Sequence, residues 1–240
     1  MPIIPLVKAE DIASGFLNSL DEGMFQAVYR LASVNESEIF SELRTFGIEV
    51  TSLEAVGQLP VQTLDALADR FLRRAKRSAA FSGASLGLGG WLGLPSGLVH
   101  MVVLILRLGQ RLSLAYGFDY RTDRGEIELW KALARAVDAK VDWEGTEAEL
   151  MRRLPAVVTG TGTFSNPLLL KAFQSVVVRI AASAGLHASR WVPLLGSGSG
   201  LVLNYLEVDK IGRRLKAHWR ASHALSGFNS EDATEVEILR

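Results

Sequence analysis

The chain has 240 residues, enough for one substantial hydrophobic core or two small ones. Its 26 basic and 26 acidic side chains give a formal net charge of zero, which argues against a general electrostatic grip on nucleic acid. Cysteine is absent, so disulfides, cysteine-ligated iron–sulfur clusters and thiolate metal sites are excluded.

The first 60 residues predict amphipathic helices. The opening residues, MPIIPLVKAED, lack the pattern of a signal peptide. Apolar side chains then recur at helical spacing over residues 8–32, and Asn35 is a suitable N-cap for a second helix over 36–47. Residues 50–60 predict a turn or a minor helix, and Pro60 suits the start of the helix that follows.

That next helix is expected to end in four basic residues, Arg73, Arg74, Lys76 and Arg77. Such a cluster is either a solvated helix end or an anchor for anionic lipid, to which each basic residue near the surface contributes ~1 kcal/mol. We interpret it as a lipid anchor because of the segment after it. Residues 78–106 contain no Asp, Glu, Lys or Arg, and the mean hydropathy of the chain, +0.19, is high for a cytosolic domain.

This uncharged run predicts a hairpin. Six glycines and Pro95 between residues 78 and 97 disfavour a single undisturbed helix. A glycine-rich helix over 78–92, followed by an apolar helix over 96–117, fits the pattern better. Basic residues flank both sides, so both ends lie on the cytoplasmic side if the hairpin enters lipid. Burial in a soluble bundle and insertion at a membrane surface both stay open, and a complete span is the least favoured placement.

The remainder of the chain also repeats at helical spacing. Residues 119–125 predict a polar connection and 159–167 a loop, with helices over 126–140, 146–154, 168–185 and 194–222. No strand ladder is expected. The predicted fold is therefore an all-α bundle built around two glycine-rich apolar hairpins. Its expected divisions are N-terminal amphipathic helices at 1–60, a helical domain at 61–225 and a flexible acidic tail at 226–240.

The two glycine-rich helices are similar in sequence. Residues 93–112 align without a gap on residues 196–215, and eight of the twenty positions are identical. A duplicated, pseudo-symmetric pair and a likeness of composition both explain this. Glycines four residues apart share a helix face and allow close backbone approach. Helix-packing roles are accordingly predicted for Gly93, Pro95, Gly97, Gly196, Gly200 and Gly212.

Three blocks of the sequence resemble the EcsC family. Residues 64–98 are similar to its basic helix, glycine-rich apolar segment and LP-containing turn. Residues 104–119, LILRLGQRLSLAYGFD, resemble its arginine-bearing helix and YG-x-D element. Residues 191–219 resemble its C-terminal glycine, asparagine and IG elements. The resemblance implies a bacterial helical protein, cytoplasmic or peripheral on the cytoplasmic face of the inner membrane, from a family named for an operon that encodes an ABC transporter. No cofactor is expected.

Polar residues on and beside the two similar helices are candidate contacts for a ligand or partner: His100, Arg107, Arg111, Tyr116, Asp119, Asn204 and Lys210. If the two helices pack antiparallel, Arg107 is expected to form a buried ion pair with Glu207 or Asp209, and such pairs are often structural.

The sequence gives little sign of a catalytic site. No HExxH motif occurs, and no metal site or catalytic residue is predicted. Ser85 lies in a Gly-x-Ser-x-Gly sequence, but the strand that a nucleophile elbow needs is not expected before it.

These patterns favour a membrane-associated accessory protein that acts through its glycine-rich hairpin on lipid or on an integral-membrane partner. A soluble carrier of a hydrophobic ligand is an alternative, and it predicts an apolar cavity near residues 93–103 and 200–206. An unrecognised hydrolase is a third possibility, which requires titratable groups that converge in a cleft.

Overall fold

The computed structural model describes residues 20–81, 96–143, 167–188 and 198–227. Within these ranges every regular element is a helix and no strand is present. The helices, in chain order, are α1 (Glu22–Ala32), α2 (Glu36–Arg44), α3 (Leu53–Gly57), α4 (Val61–Phe81), α5 (Ser96–Ala115), α6 (Asp123–Ala136), α7 (Pro167–Ala188) and α8 (Gly198–Leu225). The predicted all-α fold class is confirmed.

Several helices begin at side chains that satisfy free backbone N–H groups. Asn35 Oδ1 accepts a hydrogen bond from Ser37 N over 3.0 Å, so the predicted N-cap is confirmed. Ser52 caps α3 in the same way, 3.2 Å from Ala55 N. α4 begins directly after Pro60, as the sequence predicts. Capping groups that are readable in the sequence thus determine where these helices start.

The predicted first helix over 8–32 is wrong at residue 21. Asp21 has an extended backbone, and its Oδ1 accepts a hydrogen bond from Met24 N over 2.8 Å, so α1 begins at the next residue. The apolar spacing concealed this start because Leu20, just before the cap, is buried in the core as a helical residue would be. Residues 8–19 lie outside the described residues.

α4 continues past the basic cluster. The prediction ended this helix near residue 77 and began another over 78–92, but α4 is continuous to Phe81. Between Pro60 and Gly83 the sequence contains no glycine or proline, so nothing ends the helix earlier. The four basic side chains therefore lie inside a helix, and the rest of the second predicted helix lies outside the described residues.

Three helices end two to four residues before their predicted ends, α2 at Arg44, α5 at Ala115 and α6 at Ala136. Each is followed by a residue with positive φ: Gly47 at 77°, Gly117 at 84° and Asp138 at 58°. The next residue then donates its backbone N–H to the carbonyl five positions earlier, over 2.8 to 3.1 Å. This left-handed closure satisfies carbonyl groups at the helix end and turns the chain away.

The helices predicted over 168–185 and 194–222 are present as α7 and α8. Predicted elements at 146–154 and 159–166, and the tail beyond residue 227, lie outside the described residues.

α5 is the central helix of the core. It contacts α1, α2, α3, α4, α6, α7 and α8. Its segment Leu98–Ala115, with a mean hydropathy of 1.5, is the one stretch of the described residues that is long and apolar enough to cross a membrane. However, 67% of that segment is buried inside the protein. Its composition is therefore accounted for by the helices that cover it.

α4 lies antiparallel to α5. Near the start of α4, Asp65 Oδ1 accepts a hydrogen bond of 2.6 Å from the Tyr116 hydroxyl. Further along α4, the ring of Phe71 lies 5.7 Å from the guanidinium carbon of Arg111. Since the contacts move forward on α4 and backward on α5, the end of α4 and the start of α5 lie at the same end of the bundle.

α4 also lies antiparallel to α8, to which it is joined by ion pairs. Arg220 Nε is 3.0 Å from Asp65, Lys216 Nζ is 2.7 Å from Asp69, and Lys76 Nζ is 2.7 Å from Asp209. The order along α8 is reversed relative to α4. α8 therefore begins at the same end of the bundle where α4 ends and α5 begins.

The two similar helices, α5 and α8, are consequently parallel. A Cβ placed on Gly212 would lie 3.0 Å from Leu108 Cδ2, and the rings of Tyr116 and His223 are 6.1 Å apart. A pseudo-symmetric pair of hairpins stays a prediction, because residues 82–95 and 189–197, which complete the hairpins, lie outside the described residues.

The expected ion pair of Arg107 with Glu207 or Asp209 is wrong. That pairing required antiparallel helices, whereas Asp209 faces α4 and is paired with Lys76 and Arg213. Within the part of the chain that the structure describes, Arg107 has no acidic partner.

Replacement of Gly117 by alanine should lower the free energy of unfolding by about 2–4 kcal/mol. A Cβ there would lie 2.6 Å from the Gly57 Cα, and the positive φ is itself unfavourable for alanine. Gly47→Ala is the matched control, because its φ is also positive but no atom lies within 4 Å of the added Cβ. It should cost only about 1 kcal/mol. Urea denaturation of both variants measures the difference, and equal losses would contradict the close approach of α3 and α5.

Candidate functional site

A basic surface lies at the end of the bundle where α4 ends and α8 begins. We call it the basic end and define it by Arg73, Lys76 and Arg77 of α4 with Lys210 and Arg213 of α8. Asp209 joins the two helices there, since its carboxylate is 2.7 Å from both Lys76 Nζ and Arg213 Nη2. Asp209 and Glu207 are the acidic residues of α8 in this region, so positive charge predominates.

Arg73 and Arg77 are the most available cations of the basic end. They are four residues apart on α4, so they share one helix face. Both are exposed, and neither has an ionic partner among the described residues. Lys210 is exposed as well, and the side chain of Arg213 is 72% exposed despite its contact with Asp209.

The other two residues of the predicted lipid anchor are engaged inside the protein. Arg74 forms a close ion pair with Glu42 of α2. Lys76 pairs with Asp209, and the hydrogen bond from that carboxylate raises the pKa of Lys76. For Asp209, burial alone would raise the pKa, but the hydrogen bonds from Lys76 and Arg213 lower it. Of the four predicted anchors, only Arg73 and Arg77 are thus free to meet a ligand.

Exposed apolar side chains adjoin this positive charge. Tyr205 is 38% exposed and Leu206 is 55% exposed on the first turns of α8. Lys76 Nζ lies 5.0 Å from the ring centre of Tyr205, so the basic and apolar groups are in contact. Aromatic, aliphatic and cationic groups side by side are typical of surfaces that meet the interface of a membrane.

α5 carries the other candidate contacts, and they differ in their surroundings. Arg111 is paired with Glu38 at 2.6 Å and lies over Phe71, so it joins α2, α4 and α5. His100 is partly buried, its Nε2 has no hydrogen-bond partner among the described residues, and burial lowers its pKa. Arg107 is half-buried and its Nε also lacks a partner there.

Asn204 and the glycines with predicted helix-packing roles are the remaining predicted residues. Asn204 is half-buried near the start of α8. A Cβ on Gly212 would lie 2.3 Å from Leu72 Cδ1, so α4 and α8 approach closely at this glycine. Gly97 and Gly200 are helical residues of α5 and α8, while Gly93, Pro95 and Gly196 lie outside the described residues.

A small apolar cleft opens between α1, α5 and α7. Its lining is wholly apolar and consists of Leu20, Met24, Val28, Leu98, Val99, Val102, Phe173 and Val177. The cavity itself measures about 10 Å³, room for about one water molecule, within a depression of about 210 Å³ that includes space open to solvent. Typical ligand pockets enclose ~300–1,000 Å³. The cleft coincides with one of the two regions where a hydrophobic-ligand cavity is expected from the sequence, but it is small for an acyl chain.

The sequence model of the EcsC protein family matches residues 10–221 of the chain. The chain belongs to the EcsC protein family. Comparisons with curated proteins and with solved structures give no significant match. All three of the motif blocks noted in the sequence lie within the matched range.

The YG-x-D element of this EcsC protein has contacts within the fold. Tyr116 is fully buried, and burial followed by its hydrogen bond to Asp65 raises its pKa well above the ordinary range. Gly117 makes the turn against α3. Asp119 accepts hydrogen bonds from the backbone and side chain of Arg121, which lower the pKa of Asp119. These contacts join α3, α4 and α5 at the end opposite the basic end.

A partly buried acid lies near that opposite end, and the sequence prediction missed it. Glu126 is on the first turns of α6, facing the Tyr29 hydroxyl and the Trp130 indole. Burial raises the pKa of Glu126 to about 7, although the nearby Tyr29 hydroxyl and Trp130 indole act in the opposite direction. Nothing in the local sequence distinguishes Glu126 from an ordinary acid of a first helical turn. No group of three or more metal-binding side chains occurs among the described residues.

The raised pKa of Glu126 makes stability depend on pH. The folded protein holds the proton more tightly than the unfolded chain, whose Glu titrates near 4.5. Stability is therefore greatest below about pH 4.5 for this group and falls as the pH rises to about 7. The shift corresponds to at most about 3 kcal/mol.

We expect Glu126→Gln to be more stable than the wild type at pH 8 and to lose this advantage at pH 5. Free energies of unfolding from urea titrations at both pH values measure this. Glu54→Gln is the control, because Glu54 is exposed and the backbone hydrogen bonds of its helix start lower its pKa, so its effect should not change between pH 5 and 8. A pH-independent effect of Glu126→Gln would contradict the prediction.

Proposed function

We propose that this protein is a membrane-associated accessory protein of the EcsC type, which binds the cytoplasmic face of the bacterial inner membrane through its basic end. The glycine-rich segment 82–95 then enters the lipid or contacts an integral-membrane partner. One observation carries the proposal. Free arginines and exposed apolar side chains lie together at the end of the bundle where this uncharged segment leaves α4 and enters α5.

The position of the uncharged segment supports the proposal. It leaves α4 after Phe81 and returns at Ser96, and both points lie at the basic end because α4 and α5 are antiparallel. Its fourteen residues, SGASLGLGGWLGLP, include a tryptophan and no charge. A segment of this composition beside arginines favours insertion at the cytoplasmic membrane surface over a location in water.

The free charges favour an anionic surface. Each basic residue near a membrane with anionic lipid contributes ~1 kcal/mol, and this contribution falls off within a Debye length. Arg73 and Arg77 make no internal ion pair among the described residues, so membrane binding would break no interaction that the fold needs. The exposed Leu206 adds apolar area at the same end of the bundle.

The double substitution Arg73→Ala and Arg77→Ala should lower the partition of the protein onto vesicles that contain phosphatidylglycerol by roughly 10–30-fold at low salt. Flotation of purified protein with such vesicles measures the partition. The matched control is Arg30→Ala with Arg124→Ala, which removes two exposed arginines of α1 and α6, outside the basic end. Equal losses in the two double variants would show a non-specific charge effect and contradict the proposal.

Insertion is tested separately from adsorption. Lipids brominated along their acyl chains should quench the fluorescence of the wild type, and Trp91→Phe should lose most of that quenching. Trp143→Phe is the control, because Trp143 lies after α6. Wild-type protein that neither floats with anionic vesicles nor is quenched would overturn the proposed function.

A second candidate function, a carrier for a hydrophobic ligand, is favoured by the apolar cleft alone. Its lining includes Leu98, Val99 and Val102, within the region expected for that function. Native mass spectrometry of detergent-free protein tests it. If a lipid co-purifies in stoichiometric amount and the protein does not bind vesicles, the carrier function is favoured over the membrane-associated accessory function.

A further inference from the structure

Arg107 differs from the other partly buried cations of the described residues in having no acidic partner. Five further cationic side chains of the described residues are partly buried, and each has an acidic partner: Arg70, Lys76, Arg111, Lys131 and Lys216. Arg107 is partly buried as well, yet it has no acidic partner in the described ranges, and its Nε is buried without a hydrogen bond. A cation that is partly removed from water without a partner is costly.

The acids nearest to this face are already used. Arg107 and Arg111 are four residues apart on α5, so they share one face of the helix. On that face Glu38 is held by Arg111, at 2.6 Å. Glu42, one turn further along α2, is held by Arg70 at 2.9 Å and by a close contact from Arg74. These two carboxylates are therefore paired with three arginines, and neither is paired with Arg107.

The register of α4 and α5 brings Arg107 to the same level along the bundle as further positive charge. Arg111 lies over Phe71 in this antiparallel pair. One turn toward the start of α5 corresponds to one turn toward the end of α4, which places Arg107 level with Ala75. Arg74 is the neighbour of Ala75 in the sequence, and the exposed Arg77 lies within the next turn. This side of the bundle has an excess of positive charge that the described acids do not balance.

We propose that Arg107 is the centre of a binding site for a phosphate group, at the seam of α4 and α5. The guanidinium presents its donors in a planar fork that matches the oxygens of a phosphate. Arg107 is partly exposed, so a ligand can reach it without unfolding the bundle. A phosphate would supply the missing counter-charge.

The site deepens the proposed membrane function and rests on it for the source of the phosphate. The basic end lies further along the same helix, α4, so the headgroup of an anionic phospholipid is the source that the position favours. A free phosphate has the same chemistry. The two sources are separated by their relative affinities.

Isothermal titration calorimetry of the full chain, at constant ionic strength, tests the site with two probes: inorganic phosphate and water-soluble dihexanoyl phosphatidylglycerol. Wild-type protein should bind both saturably, and Arg107→Met should weaken binding at least tenfold. Arg30→Met, which removes an exposed arginine, should leave it unchanged. At least tenfold tighter binding of the lipid would identify a headgroup as the ligand, whereas equal affinities would identify free phosphate.

Two outcomes would overturn the site: no saturable binding of either probe to the wild type, or equal binding by wild type and Arg107→Met. The wild-type titration decides the question even where Arg107→Met does not fold, and Arg107→Lys, which keeps the charge but loses the fork, should bind with intermediate affinity. Vesicle flotation separates this result from the proposed function. If the wild-type protein binds phosphate but does not float with vesicles, the membrane proposal is contradicted and the phosphate site is still supported.

Discussion

The burial of most of α5 among the other helices is the constraint on which the rest of the structure depends. Seven other helices contact it, and its apolar segment matches a membrane helix in length and hydropathy. Polar side chains on such a helix need internal partners. Ser113 donates to the Phe118 carbonyl over 2.9 Å and Arg111 pairs with Glu38. Arg107 Nε, His100 Nε2 and both side-chain polar atoms of the buried Gln110 lack such a partner among the described residues. Of these residues, Arg107 is the one that carries a fixed positive charge, so it is the best guide to a ligand.

The ion pairs between α4 and α8 decide which charges remain for function. Asp65, Asp69 and Asp209 hold Arg220, Lys216 and Lys76, and they determine the register of the two helices. The most exposed of these pairs, Arg220 with Asp65, contributes little to stability, typically below ~1 kcal/mol. The larger effect of such pairs is to decide which cations stay available for a ligand. Asp209 pairs with Lys76, and Glu42 pairs with Arg74, so neither of these cations is free at the surface. A cluster of four cations in the sequence is thus reduced to two that are available at the surface.

Local features of the sequence predicted the fold class and most helices. They did not predict which helices pack together or in which direction. Asn35 and Pro60 mark helix starts through their own chemistry, so they are readable without a structure. Asp21 was missed because the buried Leu20 continues the apolar spacing across a cap. The parallel arrangement of α5 and α8 follows from contacts between residues over a hundred positions apart, which no local pattern encodes. The expected partner of Arg107 was wrong for that reason.

The motif residues of the EcsC family and the candidate functional residues are largely different sets. Tyr116 donates to Asp65, Gly117 closes the turn on α3, and Gly212 admits Leu72 and Leu108, so each has a packing task in the fold. Arg73, Arg77 and Arg107 have no such task in the described residues, and each carries a charge that the fold does not neutralise. A motif can therefore identify the family through the side chains that build the bundle. The contacts with lipid or phosphate fall to side chains that the bundle does not need.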